Sequence, residues 1–399
     1  MIGIYKTENE YGKGTVKSWA SIIDEATQRQ AEKISRVPVL DGYLALMPDA
    51  HYGFGPPVGS ALKTKKAVMP YAVGVDIGCG MIAVETDLQR SEFRGHEGNT
   101  LGHIRELIPS GVGEGHKRPL AQATRFVDDN GYPAGIVETE LAKRGDSLRQ
   151  KALNQFGTLG AGNHFVEVCE DARGRVWLLL HSGSRGIGNL LATAHVRVAQ
   201  GFCKGEDISL EDRDFAYLPS ETVAAEAYLQ DMLWAQRYAY AQREAMMDSL
   251  MEAVSREIGS DWQEVQRINC HHNYAEQLED GGWITRKGAI DASEGKMGII
   301  PGSMGAATYI VRGRGNADAY QTSPHGAGRV MGRKQAHRTL SMEEFRGQMA
   351  GKTWLDRDAK KLLDEAPSAY KPIEQVIADS ADLIEPVTVL SQFINYKGL

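Results

Sequence analysis

The chain has little cysteine, no long apolar run and no excess of positive charge, and each shortage removes a class of function. Its 399 residues hold 4 cysteines, too few for a disulfide framework at that length. Nowhere is there an apolar run long enough to span a bilayer. The opening residues MIGIYKTENEYGKG are polar and charged and lack the apolar core of a signal peptide. A cytoplasmic protein is expected, in a reducing compartment where a thiol stays free for a metal. The formal net charge is −7, which argues against strong non-specific nucleic-acid binding by the molecule as a whole. Basic groups at Arg329–Arg338 and His116–Arg118 read as solvated faces.

Common signatures are missing too. There is no G-x-x-x-x-G-K-[ST] loop, and GTLGAG (157–162) lacks the G-x-G-x-x-G order. HSGSRG has a serine after a histidine but no G-x-S-x-G elbow, so a serine-hydrolase reading is weak. No internal repeat or low-complexity linker is apparent.

What is there is a set of glycine-flanked donors: VGVDIGCGM (73–81), GAGNHFVEV (160–168), HSGSRGIG (181–188), NCHHNY (269–274) and SPHGAGR (323–329). Carboxylate oxygen, thiolate sulfur and imidazole nitrogen are the three protein donor types for a transition metal. Glycine lets backbone approach a phosphate with its N–H groups pointing inward. Asp76 and Cys79 are three apart, a spacing that a turn brings within about 7 Å. His164, His181 and either His271 or His272 share that context. A lone Asp–Cys pair is as readily a capped turn beside a buried thiol, but three such histidines are hard to dismiss. Cys169 and Cys203 read as small buried residues. His325 can be a nucleophile toward phosphorus or another metal ligand, and spacing does not separate the two. Arg329 beside it can pair with a phosphate.

The pattern predicts helices over 17–35, 99–108, 119–129, 140–155, 220–258, 342–350, 357–365 and 373–381. Strands are expected at 39–47, 58–63, 81–86 and through 283–312, with a turn-rich MPDAHYGFGPP and a glycine-rich loop at 110–115. HFVEVCEDARGRVWLLLHS reads as a β-hairpin turning near Asp171–Gly174. Its symmetry centre between Ala172 and Arg173 would set His164 opposite His181, with Cα atoms about 4.5–5.5 Å apart. Strands and helices do not alternate as βαβ units, so the class is α+β, with mixed or antiparallel sheets flanked by helices. Site candidates spread along the chain favour one interwoven domain over 1–399.

At this point VGVDIGCGM, GTLGAGNHFVEV, LHSGSRGIGN, INCHHNY, IIPGSMGA and HGAGRVMGR together resemble the RtcB family of RNA-splicing ligases, over nearly the whole chain. The resemblance implies two Mn(II) ions held by Asp76, Cys79 (bridging), His164, His181 and His272, with His271 as a neighbour. Sequence chemistry alone would suggest zinc as readily. It implies His325 as the nucleophile that takes guanylate from GTP, with Glu167 on the guanine and Asn163 at the α-phosphate. Ser303, Tyr370 and Lys397 match GTP-contacting positions. Thr308 stands where the family has serine and keeps a hydroxyl. Gly326, Ala327, Gly328 and Arg329 complete the phosphate-binding segment. Pro324 before the nucleophile and Gly332 depart from the common pattern. The implied reaction joins RNA 3′-phosphate or 2′,3′-cyclic phosphate ends to 5′-hydroxyl ends, in splicing or repair; some members use an archease activator. Two rival readings are a binuclear metallophosphoesterase and an RNA-end binding protein with a structural metal.

Overall fold

Five neighbouring strands of one antiparallel sheet all point one end at the same place, and that end carries the donors expected above. The computed structural model describes residues 1–133 and 145–399. Among these, a seven-stranded sheet runs in the order Glu264–His271, Gly80–Gln89, Arg175–Ser182, Phe165–Glu170, Ile384–Lys397, Thr308–Gly313, Met297–Pro301. The register pairs His271 with Gly80, Met81 with His181, His181 with Phe165, and Phe165 with Lys397. Each pairing fixes a neighbour: Cys79 precedes Gly80, His164 precedes Phe165 and His272 follows His271. The middle strands FVEVCE and RVWLLLHS are buried almost throughout, as expected of strands covered on both faces.

One cover is the 36-residue helix Val223–Ile258. Thr222 caps it through Ala225 N, and it stops at Gly259, whose φ of 94° suits glycine. Tyr228, Met232, Ala235, Tyr238, Ala239, Met246 and Leu250 recur near helical spacing and are buried. A helix at Arg185–Gly205 packs beside it. A second, six-stranded sheet includes Leu40–His51, Val58–Thr64 and Trp283–Lys287. The class is α+β. No helix among the described residues is long and apolar enough to cross a membrane.

Several expectations need correction. The hairpin exists, but its register is one residue off: His181 faces Phe165, not His164. The cause is an odd, three-residue loop, closed by Asp171 N to Arg175 O with Gly174 at φ 76°, a geometry that needs glycine. Segment 17–35 is helical only over Glu25–Ile34, and its start belongs to the strand Gly12–Ser18. MPDAH ends the strand Leu40–His51 instead of opening a turn. The expected 357–365 helix is a single α turn, Ala359–Leu362, between 3₁₀ turns. Helix Arg185–Gly205 was not foreseen. The first part of the expected 140–155 helix lies outside the described residues; Gly145–Gln155 is helical.

Candidate active site

The turn 76–79 is shaped by what surrounds it. Cys79 N donates to Asp76 O at 3.1 Å, and Gly78 has φ 72°. A Cβ on Gly78 would meet Ala239 Cβ at 2.8 Å, so the turn lies directly on the long helix. Cys79 O accepts from His272 N at 2.8 Å, tying this motif to NCHHNY. Asp76 Oδ1 accepts from Ser184 N at 3.0 Å and Ser184 Oγ at 3.2 Å, tying it to HSGSRG. At position 183 only glycine fits: a Cβ on Gly183 would sit 2.2 Å from Asp76 Oδ1.

The five expected metal ligands come together. Asp76, Cys79 and His164 form one group of three donors, and Cys79, His181 and His272 form another, with the donor atoms of each group within 4.8 Å of one another. Cys79 belongs to both. His164 Nε2 is 3.1 Å from Asp76 Oδ2 and 3.5 Å from Cys79 Sγ. His181 Nε2 is 3.2 Å from Cys79 Sγ and 3.2 Å from His272 Nε2. His164 Nδ1 donates to Leu159 O at 2.8 Å, which turns Nε2 toward Asp76 and Cys79.

Burial, then the imidazoles and cations around them, hold His181 and His272 far below the ordinary imidazole range, so both present neutral nitrogens. Burial is the largest single influence on Asp76 and opposes its charge, but the hydrogen bond and charge of His164, with Cys79 and Arg185, together keep the carboxyl below its usual value. Burial and then Asp76 push the Cys79 thiol up, so a cation binding there displaces a proton. Oxygen, sulfur and nitrogen donors in two adjoining triads sharing a thiol fit a pair of transition-metal ions.

His271 is outside both groups. Its Nδ1 lies 3.1 Å from Arg243 Nη2 and 2.8 Å from Gly78 O. Arg243 also donates to Gly78 O at 2.7 Å and Ser182 O at 3.1 Å, and so clamps the ligand-bearing segments from beneath. Sequence reasoning missed it, because the full burial of this arginine shows only in the fold.

His325 follows the short strand Thr322–Pro324, in which Pro324 pairs with Ala289. Its ring centroid is 4.6 Å from that of His272, at 69°. His325 Nδ1 donates to Asp49 Oδ2 at 2.6 Å, and the same oxygen accepts His325 N at 3.1 Å. Nε2 is therefore the ring nitrogen that Asp49 leaves unengaged. Asp49, fully buried, was also missed, since nothing in MPDAH marks it as a partner for a residue so distant in sequence.

Beside His325 opens a cleft with about 860 Å³ of empty space, its solvent side included. Asn163, Glu167, Ser303, Gly326, Ala327, Gly328, Arg329, Tyr370 and Lys397 all line it. Thr308 does not: it is buried in the strand Thr308–Gly313, opposite Pro301 and Leu390. Arg329 lines the cleft but is already engaged, donating to Tyr370 Oη at 2.8 Å, Asp364 O at 2.5 Å and Met331 O at 3.1 Å. It braces its own loop, and the half-exposed Arg333 is the freer guanidinium. Lys397 Nζ meets Glu365 Oε2 at 2.8 Å and Asn163 O at 3.3 Å. Burial pushes Glu167 up to about 8, against the pull of Lys397; Asn395 donates to it at 2.8 Å.

Comparison with known proteins places these features in a lineage. Residues 30–398 match the family model described as tRNA-splicing ligase RtcB. The chain is 36% identical to the RNA-splicing ligase RtcB of Escherichia coli (strain K12), over 96% of this chain and 97% of that one. It is 28% identical to the tRNA-splicing ligase RtcB of Pyrobaculum aerophilum, over 88% and 87% of the two chains. The RNA-splicing ligase RtcB of Mycobacterium tuberculosis is 29% identical, over 88% and 95%.

Proposed function

The chain belongs to the RtcB family of RNA-splicing ligases and is an RNA ligase; from that premise we propose that it uses GTP and two Mn(II) ions and works through a guanylate carried on His325. The observation that carries the reading is the placement of His325. Its ring adjoins His272, Asp49 accepts a hydrogen bond from its Nδ1, and a polar-lined cleft opens beside it. One interwoven domain over 1–399 is part of this reading, because the site draws on residues from 49 to 397.

In this reading Asp76, Cys79, His164, His181 and His272 hold the ions. When bound, these supply positive charge that offsets the phosphate oxygens. The His325 Nε2 pair attacks the α-phosphorus of GTP in line. An N–P bond forms, the P–O bond to the β-phosphate breaks, and pyrophosphate leaves with that pair. Glu167, in the lining of the cleft, faces the guanine edge as its hydrogen-bond partner, and Lys397, Ser303 and Tyr370 line the nucleotide's path. Asn163 sits between the cleft and the ligand cluster, a position suited to the α-phosphate.

An RNA 3′-phosphate oxygen then attacks the guanylate phosphorus, and Nε2 regains its pair. A 2′,3′-cyclic phosphate is first opened by water. The strand's 5′-hydroxyl partner finally attacks the activated 3′-phosphorus, its proton is lost to solvent, and GMP departs. Activation is needed because a phosphate monoester has no good leaving group of its own. Use in tRNA splicing or RNA repair, a cytoplasmic location and a place for an archease-type activator belong to the same proposal.

The test is incubation with α-labelled GTP and manganese. An acid-labile adduct is expected on the wild type and not on His325→Ala. Equal labelling of that variant removes His325 as the nucleophile. Phosphate release from 3′-phosphate RNA without GTP would favour a phosphoesterase instead.

A further inference from the structure

The cleft beside His325 does not end there. A second hollow, with about 810 Å³ of open space, shares His51, Asn163 and His325 with the first. It passes Asp76, Cys79 and His272 and ends at a wall made by Phe54, Tyr71 and Lys287. If the first hollow takes GTP, the second offers a route by which an RNA end reaches His325.

Its far wall is unusual in being both aromatic and fastened. Phe54 is 72% exposed and Tyr52 64% exposed, on the loop after the strand Leu40–His51. The Phe54 and Tyr71 rings lie 6.3 Å apart, 18° from parallel. Single exposed aromatics on loose loops need no explanation. This loop is held by its carbonyls. Gln30 Nε2 donates to Gly53 O and, at 2.6 Å, to Gly55 O. The buried Lys287 ammonium donates to Phe54 O and, at 3.1 Å, to Tyr71 O. Gly55, at φ 67°, lets the loop lie against Tyr71, where a Cβ would come within 2.8 Å of Tyr71 Cβ. Two buried polar side chains thus hold an apolar ring out toward water. A flat apolar ring at the end of a wet groove is what an unpaired nucleobase stacks on, without regard to its identity.

We propose that this second hollow seats the 3′-terminal nucleoside of the phosphate-bearing RNA strand, with its base on the Phe54 ring and its terminal phosphate at the Asp76–Cys79–His272 end. The proposal rests on the ligase reading above. The 3′-phosphate strand is chosen over the 5′-hydroxyl strand because its last group is an anion, suited to the cation-binding end of the hollow. The nearest phosphate of a 5′-hydroxyl strand lies one nucleotide further off. Stacking without base-edge hydrogen bonds makes the subsite indifferent to sequence at the terminal position.

The experiment uses the full chain with manganese and no GTP, and a short RNA ending in 2-aminopurine 3′-phosphate. Binding to wild type should quench the terminal fluorophore. Phe54→Ala should bind roughly 5- to 150-fold more weakly, the range of one lost base stack, and leave the fluorophore bright; Phe54→Trp should restore both. Melting curves of each variant establish that it is folded. The proposal is overturned if Phe54→Ala quenches and binds like wild type. It is equally overturned if only a 5′-terminal 2-aminopurine on a 5′-hydroxyl strand is quenched. GTP labelling of the wild type, run in parallel, separates the two levels. Labelling without quenching removes the base platform alone, whereas absence of labelling removes the ligase chemistry beneath it.

Discussion

Asp49 and His325 stand 276 positions apart in the chain, yet Asp49 Oδ2 accepts both the Nδ1 and the backbone N–H of His325. A carboxylate can only accept, so it fixes the tautomer and the ring plane together. Asp49→Ala should slow His325 guanylylation by on the order of 10²–10⁴-fold. Asp49→Asn, which keeps an acceptor oxygen but no charge, should fall between. Single-turnover labelling with GTP measures both, and an alanine variant as fast as wild type would show that the contact is idle.

Gly328 bears on the same pair. Its φ is 73°, and a Cβ there would lie 2.0 Å from the Asp49 carbonyl oxygen, a backbone atom that cannot swing aside. Gly328→Ala should cost at least ~2 kcal/mol, from left-handed backbone and overlap together. Urea unfolding reads the cost, and guanylylation should fall further than the folded fraction does. A midpoint equal to wild type would contradict this packing of the loop.

Cys79 is common to both donor groups. Cys79→Ser should weaken manganese binding by more than ~100-fold, beyond the range of about 10–100 expected when only a supporting group is lost. Cys203→Ser, in the helix Arg185–Gly205, should bind metal as wild type does. Titration calorimetry and metal analysis after dialysis provide the comparison; equal loss in the two variants would mean that the thiol acts only through folding.

Glu167 makes stability depend on pH in an uncommon direction. Burial raises its carboxyl from 4.5 to about 8 in the folded protein, so the folded chain holds this proton more tightly than the unfolded one. Its contribution is present below about 4.5 and is lost as pH rises toward about 8, by no more than about 1.4 kcal/mol per unit. Glu167→Gln has no such proton. The variant should gain on wild type between pH 5 and 8 in urea unfolding, and a constant gap across that range would contradict the burial argument.

The donor residues were legible because their chemistry is local: an aspartate, a thiol and imidazoles in glycine-rich context announce themselves one segment at a time. The hairpin that carries His164 and His181 was legible as well, but its register was not. Gly174 takes a positive φ and makes the loop odd, and alternation of side chains cannot count loop residues. Helix Arg185–Gly205 was hidden because its first turn, RGIG, reads as a phosphate loop. Spacing marks Arg329 as a partner for an anion, and it does line the cleft; its bonds to Tyr370 and the Asp364 carbonyl arise only through tertiary packing and so had no sequence signal. Asp49 and Arg243 were beyond reach for the same reason: each acts on a segment distant in the chain, and neither has a neighbour in sequence that betrays it.

Lys397 stands in the last strand and closes one wall of the cleft against Glu365 and Asn163, and Gly398 N donates to His164 O. The last strand thus serves two places at once: it braces the segment that carries His164 and it supplies a wall of the neighbouring cleft, so loosening that one strand would disturb both together.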